Sequence, residues 1–550
     1  MAVERKSFVR ALMVTVSVSI ALVTSCRTTK VGESGLLDSA TQSYTPEESY
    51  KKSEANLFNE SLNRLDILMH GDTWNKMVTH RNQNGYACED EAPYGHIKEI
   101  TFTNGKTGES VKMNNAGIRV KGNTSCDEPV DLKGFKIKFN VTDTFIRNEN
   151  DEEVWRIQNV YEEWGKRLEY PEQTIKTIKK QSLYGLKSIG LRRGGNDMTR
   201  LRDGLSSDVF EYAGELARNS RQPGGPVRGG AVYRGGLVHV RIHNGFGAMV
   251  EGVYGLVELI DDNLIESHFG EGAANHLFKI KEAKGTFLDA DMPSDRGRLL
   301  RWYEPEIIDG DGYKSDKEYH VKMNLCRERK IKQSACDKLE AQRQKAEEVL
   351  RGFKAQLSQA MAITDINERR TKLSGFLDID NILSYAVSAN LTGHWDSMIG
   401  AMSNNDYLFN NKQTGKWGII AWDLDNTFGA GSQSYPWMAA INEFGVNLKY
   451  RPIFQAVLGS FPEEYKKRVS EYLDGVYQFD RINERIARRR DLVAPGSMDD
   501  MYQMLFKFKN HRWGNAWCNL NRNDYRSKVR IRDGWPVIDQ NGGRTEARCE

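Results

Sequence analysis

The stretch HWDSMIGAMSNNDYLFNNKQTGKWGIIAWDLDNTFG, residues 394–429, decides how the rest of the chain is interpreted. Its hydrophobic run from Trp417 to Trp422 predicts a buried β-strand. One acid and an amide pair precede this run, and two further acids follow it directly. These polar positions are Asp396, Asn404, Asn405, Asp423 and Asp425. Three groups of oxygen-bearing side chains therefore flank one apolar strand.

Carboxylate and carboxamide oxygens are hard ligands, which suit Mg²⁺ or Mn²⁺ holding the phosphates of a nucleotide. The order acid, amide, then acid after a buried strand is the order in which protein kinases supply a catalytic base and two metal ligands. The HRD and DFG tripeptides of those enzymes are absent, and the spacings are longer. The order alone predicts a phosphoryl-transfer site.

Two other interpretations of the same residues stay open. The sequence IIAWDLDNT fits the DxDxT loop of haloacid-dehalogenase-type phosphatases, in which the first acid, here Asp423, is phosphorylated and the second, here Asp425, acts as acid or base. Such a loop normally opens its domain, whereas this one lies late in the chain. Alternatively, both acids only cap the strand.

Several blocks along the chain resemble the spore-coat protein H (CotH) kinase family of atypical kinases. They occur in family order and span roughly residues 57–545. The blocks are Ser61–Met77, Gly117–Phe139 with GIRVKGNTSCDEPVDLKGFKIKF, Leu201–Gly214, Gly252–Asp261 with GVYGLVELID, Leu377–Leu391, and the acid-bearing stretch itself. The chain departs from the family at Lys121, where Arg is usual, and at Cys126.

The resemblance implies an α+β chain with an atypical, two-lobed protein-kinase-like fold. An N-terminal antiparallel sheet lobe would be followed by an α-rich C-terminal lobe. It also implies a Ser/Thr kinase that uses ATP with Mg²⁺ or Mn²⁺. A non-catalytic surface lipoprotein that keeps this fold as a scaffold or adhesin is the alternative, because ATP is scarce outside the cytoplasm.

The resemblance also assigns roles to individual residues. Asp396 would be the catalytic base. Asn405 (or its neighbour Asn404) and Asp423 would bind the metal, and Asp425 would be a further ligand or would support the ligands from behind. The turn formed by Gly122, Asn123, Thr124 and Ser125, together with Lys138 and Glu258, would bind the nucleotide. Backbone N–H groups of a small-residue turn suit phosphate oxygens, although most such turns have no ligand. Glu258 stands in an apolar strand, so it needs a partner: a lysine, the nucleotide or a structural salt bridge.

The first residues are typical of a bacterial lipoprotein signal. Three basic residues precede an apolar run from Ala11 to Val23, which is too short for a comfortable transmembrane helix. Residues 1–25 are predicted to be cleaved and Cys26 to be acylated. Arg27 follows Cys26 where an Asp would signal retention in the inner membrane, so the outer membrane is the expected destination where the cell has one. Residues 26–56 are polar and predict a flexible tether to an extracytoplasmic domain at 57–545.

The remaining six cysteines suggest disulfides in an exported protein. Pairing of nearest neighbours (88–126, 326–336, 518–549) is one of 15 possibilities. The 78 basic and 75 acidic residues nearly balance, so bulk charge does not call for nucleic acid. The expected partner is a protein substrate on the cell surface or in the envelope.

Composition predicts three further features of the chain. Residues 141–180 look helical and charged, and Leu201–Leu216 has helical periodicity. Residues 285–375 are rich in charge and predict a helical insertion or connector, with a long helix at Asp337–Met361. The later helices predicted for the C-terminal part are Pro462–Leu473, Arg481–Leu492 and Met498–Lys509.

Overall fold

The computed structural model describes residues 40–79, 94–121, 129, 133–141, 144–147, 153–158, 160–163, 166–167, 171–193, 197, 199–211, 231–280, 300, 303–312, 323–400, 403–429, 448, 451–477, 479–493, 505, 512–514, 516 and 520. This part of the chain contains both helices and sheets, which confirms the α+β class. None of its helices combines the length and the apolarity that crossing a bilayer requires.

The strands belong to two large sheets and one isolated pair. They are β1 (Leu62–Met69), β2 (Tyr94–Thr103), β3 (Ser110–Lys121), β4 (Gly134–Lys138), β5 (Thr144–Arg147), β6 (Glu153–Gln158), β7 (Val160–Glu163), β8 (Lys166–Arg167), β9 (Ser188–Arg192), β10 (Ala231–Val232), β11 (Gly235–His243), β12 (Ala248–Glu258), β13 (Ala274–Ile280), β14 (Tyr303–Ile308), β15 (Asp311–Gly312), β16 (Tyr407–Asn411) and β17 (Trp417–Ala421).

The helices are α1 (Pro46–Asn56), α2 (Gly71–Thr79), α3 (Glu172–Ile178), α4 (Arg202–Glu211), α5 (Asp262–Phe269), α6 (Gln333–Ala362), α7 (Ile366–Phe376), α8 (Ile379–Thr392), α9 (Pro452–Ser460), α10 (Pro462–Asp474) and α11 (Phe479–Val493). The predicted helices at 337–361, 462–473 and 481–492 are confirmed within one to four residues. The helix predicted at 498–509 lies almost entirely outside the described residues.

The first sheet closes on itself. Its order is β1-β11-β12-β9-β4-β3-β2-β7-β8, and β1 also pairs with β2, so seven strands form a ring. Most pairings are antiparallel, as predicted, but β1 runs parallel to β11. Alternate side chains fill the interior, among them Leu65, Ile100, Phe102 and Phe135. Closure leaves the ring strands without free edges inside this barrel.

The second sheet carries the decisive stretch. Its order is β10-β17-β16-β13-β14-β15, and β16 and β17 form an antiparallel hairpin. All five residues of β17 are buried, which confirms the predicted buried strand. Two-residue strand β10 pairs parallel with β17 and leads through Tyr233 and Arg234 into β11 of the barrel. The chain therefore passes from one sheet to the other at these two residues.

The segment predicted as an insertion, residues 285–375, is built into the second core. Strand β14 pairs with β13, and helix α6 packs along the sheet through one apolar stripe. The stripe has helical spacing and consists of Ala346, Leu350, Phe353, Leu357 and Ala360. Charged residues occupy the remaining surface of α6, which explains why composition alone suggested a separate connector.

Two expectations for the N-terminal half were wrong in part. The stretch predicted to be helical, residues 141–180, contains helix α3, but its described residues between 144 and 167 form four short strands. Here Val154, Trp155 and Ile157 are strand-forming residues, and the high charge of the segment concealed that preference. The tether also ends before residue 56, because α1 is a capped helix. The Thr45 side chain accepts from the Glu48 N–H at 3.2 Å, and Tyr50 is buried.

One predicted disulfide lies within the described residues and is confirmed: Cys326 is bonded to Cys336. The other two predicted pairs involve cysteines outside the described residues, so those pairings stay predictions. The confirmed bond closes the short loop that precedes α6, where Leu325 and Ile331 form a small satellite core.

Glu258 forms a buried ion pair at the end of β12. Its carboxylate accepts from Arg234 Nε at 2.9 Å and Arg234 Nη2 at 2.6 Å, and His268 Nε2 lies at 3.3 Å. Burial alone would raise the pKa of Glu258, but Arg234 lowers it below its usual value. The Arg234 guanidinium also lies 4.1 Å from the ring centroid of Tyr50, which ties α1 to the junction between the two sheets.

Substitution Glu258→Gln is expected to lower the free energy of unfolding by about 3–5 kcal/mol, because the buried Arg234 loses its nearest counterion and keeps only Glu54, at 3.6 Å. Urea denaturation followed by circular dichroism measures this loss. Glu251→Gln on the same strand is the control, because that side chain is 50% exposed and lies 3.7 Å from His239. The control should change stability by less than about 1 kcal/mol. Equal losses from both substitutions would contradict a buried structural ion pair.

Candidate functional site

Asp396 lies in the loop that follows α8. This helix begins at its cap, Asp378, and ends at Gly393, whose φ of +66° turns the chain sharply. Almost all of α8 is buried, so the start of the loop is fixed against the second core. Further along, Ser403 and Asn405 have φ values of +52° and +70°. Such left-handed non-glycine residues cluster at functional sites, where the surrounding structure must hold them.

Two amide side chains hold the carboxylate of Asp396. Asn405 Nδ2 donates to Asp396 Oδ2 at 2.8 Å, and Asn426 Nδ2 donates to the same oxygen at 3.4 Å. Burial, and then the charge of Asp423, raise the pKa of Asp396 to about 6. The structure thus brings together Asp396 and Asn405, which the sequence placed nine residues apart.

Asp423 and Asp425 lie in a tight turn that ends β17. Asp423 has a φ of +63°, and residues 424–426 form one turn of 3₁₀-helix. The Leu424 N–H donates to the Tyr233 hydroxyl at 3.0 Å, and the Thr427 hydroxyl donates to the Leu424 carbonyl at 2.6 Å. Tyr233, at the junction between the sheets, therefore fixes the turn that carries both acids.

Arg192, the last residue of β9, is the cation in contact with these acids. Its guanidinium donates to Asp423 Oδ1, and its Nε lies 3.7 Å from Asp203 Oδ2 on α4. It also lies 5.0 Å from the ring centroid of Trp422. Burial alone would raise the pKa of Asp423, but Arg192 and then Lys121 hold it below its usual value.

Asp425 is the least well satisfied of the acids. Its Oδ1 is buried and has no hydrogen-bond partner among the described residues. Burial, and then the charge of Asp423, raise the pKa of Asp425 well above its usual value. An open concavity adjoins it, and its walls include Arg192, Arg193 and Arg200.

The chemistry of these side chains fits a hard divalent cation. Asp423 and Asp425 supply carboxylates, and Asn405, whose amide nitrogen serves Asp396, would supply its amide oxygen. The buried, unpartnered oxygen of Asp425 supports this assignment. In the described part of the chain, no three His, Cys, Asp or Glu side chains form a group that could hold a metal by themselves.

Asp406 is a buried residue that the sequence analysis did not select. Its Oδ1 accepts from the Trp422 N–H at 3.0 Å, and its Oδ2 accepts from the Met398 N–H at 2.6 Å and from the Tyr385 hydroxyl. One carboxylate thereby joins α8, the Asp396 loop and the end of β17. Its position directly after the amide pair and before an apolar strand was the available signal in the sequence.

Of the other predicted site residues, the structure describes Lys138 and Glu258, and it brings neither of them to the acids. Lys138 lies at the end of β4 that pairs with Ser188, four residues along β9 from Arg192. At about 3.3 Å per residue this separation is about 13 Å. The choice of Lys138 as the phosphate-contacting lysine therefore has no support from its position. Arg192, Lys121 and Lys279 supply the positive charge that lowers the pKa of Asp423, and Lys121 had been noted only as a departure from the family.

Glu258 belongs to the structural salt bridge with Arg234, which was one of the alternatives considered for it. Gly122, Asn123, Thr124, Ser125 and Cys26 lie outside the described residues, so their roles stay predictions.

Substitution Asp406→Ala is expected to destabilise the site because three buried donors lose their acceptor. At about 1–3 kcal/mol for each unsatisfied donor, the free energy of unfolding should fall by at least about 3 kcal/mol. Urea denaturation checks this value. Asp406→Asn keeps the shape and one acceptor oxygen, so its loss should be smaller. If the two variants were equally stable, Asp406 would not organise the loop through hydrogen bonds.

Comparison with known proteins gives one clear match. A family model described as CotH kinase protein matches residues 118–521, well over half of the 550-residue chain. This range contains all the described residues of the acid site, from Lys121 and Arg192 to Asp425. No curated protein matches the chain.

Proposed function

We propose that this chain, which belongs to the CotH kinase family, is an atypical protein kinase that transfers the γ-phosphate of ATP to a Ser or Thr hydroxyl. The observation that carries the proposal is that an oriented carboxylate lies near a second acid. Amide side chains orient Asp396, and Asp423, whose negative charge acts on Asp396, lies in a turn at the end of a buried strand. Phosphoryl transfer needs an oriented base beside a site that holds phosphate and metal.

Asp396 would accept the proton of the substrate hydroxyl. Its pKa of about 6 leaves it largely ionised at pH 7.5, yet close enough to the working pH to take up a proton. The Asn405 and Asn426 amides donate to Oδ2, and Asn404 also hydrogen-bonds the carboxylate, so the three amides would orient Asp396 for the substrate hydroxyl. In this mechanism the substrate hydroxyl attacks the γ-phosphate directly, so no covalent enzyme intermediate is required.

Asn405, Asp423 and Asp425 would hold Mg²⁺ or Mn²⁺ together with ATP. When bound, the metal would neutralise charge on the phosphate oxygens. Arg192, Lys121 and Lys279 provide positive charge at this end of β17. The turn at residues 122–125, directly after Lys121, is the proposed cover for the phosphates.

The proposed location is outside the cytoplasm. Acylation of Cys26 would anchor the chain to a bacterial membrane, with the outer membrane favoured where there is one. Because α1 packs on the catalytic part, the tether proposed here ends before residue 46. A short tether keeps the site near the membrane, so a surface or envelope protein is the proposed substrate. The two-lobed arrangement, with the barrel above an α-rich lobe, is proposed from family membership.

The test is transfer of label from γ-labelled ATP. The purified full chain is incubated with Mg²⁺ or Mn²⁺ and a Ser-rich acceptor, beside Asp396→Asn and Asp423→Asn. Loss of the base should lower the rate by about 10²–10⁴-fold. Asp262→Asn is the control, because that side chain is 58% exposed and its partner Lys187 lies 3.9 Å away.

The same variants separate the rival functions. A phosphatase that uses Asp423 would hydrolyse p-nitrophenyl phosphate, lose this activity in Asp423→Asn and keep it in Asp396→Asn. A scaffold would neither transfer label nor show metal-dependent binding of ATP in a thermal-shift assay. Either result would overturn the proposed kinase.

A further inference from the structure

The acid site brings four carboxylates and several cations together. The carboxylates come from three parts of the chain and belong to Asp203, Asp396, Asp423 and Asp425. Burial, and then the charge of Asp423, raise the pKa values of Asp396 and Asp425. Arg192, Lys121 and Lys279 act on Asp423, and Arg192 also lies within salt-bridge distance of Asp203. Its guanidinium is therefore a cation in direct contact with two acids of the site.

The guanidinium of Arg192 has two carboxylates within reach. Besides Asp423, its Nε lies 3.7 Å from Asp203, and its guanidinium lies over the rings of Trp422 and Tyr233 at 5.0 and 5.9 Å from their centroids. Its Nε has no hydrogen-bond partner among the described residues. Moving away from Asp423 would therefore not leave Arg192 unpaired, since Asp203 and both aromatic faces stay in contact.

Asp203 is fixed independently of Arg192. Its Oδ1 accepts from the Tyr233 hydroxyl, and its backbone carbonyl accepts from the Ser207 hydroxyl at 2.6 Å. The side chain is 6% exposed. Asp203 therefore offers Arg192 a second carboxylate whose position does not depend on the first.

We infer that Arg192 pairs with Asp423 only while no metal ion is bound, and that a divalent metal ion displaces its guanidinium toward Asp203. The inference rests on the proposed function, since Asp423 is a metal ligand only there. A metal ion carries two charges at one point and contacts oxygen directly, whereas the guanidinium spreads one charge over a fork. Two positive charges at the same carboxylate oxygen repel each other, so we expect the guanidinium to give way to the metal ion.

The inference predicts that removing Arg192 improves metal binding. The binding of Mn²⁺ to the full chain is measured without nucleotide, from the loss of the electron paramagnetic resonance signal of free Mn²⁺. Arg192→Gln should bind Mn²⁺ about tenfold more tightly than the natural chain, which corresponds to about 1.4 kcal/mol of lost competition. An unchanged or weaker affinity would overturn the inference and make Arg192 a fixed structural partner.

Arg119→Gln is the matched control. Arg119 also lies over an aromatic ring of the barrel, 4.9 Å from the centroid of Tyr94, but it forms no ion pair with an acid among the described residues. Its substitution should leave Mn²⁺ affinity unchanged. Arg192→Lys is a second variant that keeps the charge while losing the guanidinium fork, so it should tighten Mn²⁺ binding less than Arg192→Gln. Near-ultraviolet circular dichroism establishes that each variant is folded.

A double-mutant cycle assigns the effect to Asp423. In an Asp423→Asn background, Arg192→Gln should no longer tighten Mn²⁺ binding; a gain that persists would overturn the inference. The outcome is independent of kinase activity. If the natural chain transfers no phosphate but Arg192→Gln still tightens Mn²⁺ binding, the proposed function fails and the inference stands. If phosphate is transferred but Mn²⁺ affinity does not respond to Arg192, the inference fails alone.

Discussion

The ion pair between Arg192 and Asp423 joins the two halves of this structure. Arg192 ends a strand of the closed barrel, and Asp423 ends the buried strand of the second sheet. Each sheet has its own hydrophobic core, so neither core by itself positions these two side chains relative to each other. The contact therefore depends on the junction at Tyr233 and Arg234, where the chain passes from one sheet to the other. A charge site at such a junction responds to any shift between the cores.

The junction is held by charge on one side and by hydrogen bonds on the other. Arg234 binds Glu258 and stacks on Tyr50 of α1, while Tyr233 binds Asp203 and the turn that carries Asp423. The two neighbouring residues thus connect the N-terminal helix with the acid site. Because partly satisfied buried polar groups are costly, this network restricts the junction to arrangements in which its members stay paired.

The acid loop is held by a second network centred on Asp406. This carboxylate collects hydrogen bonds from α8, from the loop of Asp396 and from the end of β17. The left-handed backbone at Asn405 and Asp423 is compatible with such restraint, because strained residues persist only where their surroundings fix them. Burial raises the pKa of Asp406 to about 7, which shows how strongly the interior opposes its charge.

The sequence by itself determined those helices and strands whose hydrophobic pattern is strong and fits only one kind of element. The buried strand at 417–421, the long helix around 337–361 and the grouping of acids after the strand all follow from local periodicity and order. Family membership also followed from blocks of sequence. Local signals failed where charge concealed strand-forming residues, as at 153–158, and where a polar segment packs through a few residues, as Tyr50 does in α1.

Only the tertiary structure decided which cations meet the acids. The resemblance selected Lys138 and did not select Arg192, but strand register places Lys138 at the far end of its strand and Arg192 against Asp423. Register and barrel closure depend on pairing between strands distant in the chain, such as β1 with β11. No periodicity within either strand encodes that pairing. The side chains that complete the acid site are therefore a property of the folded barrel.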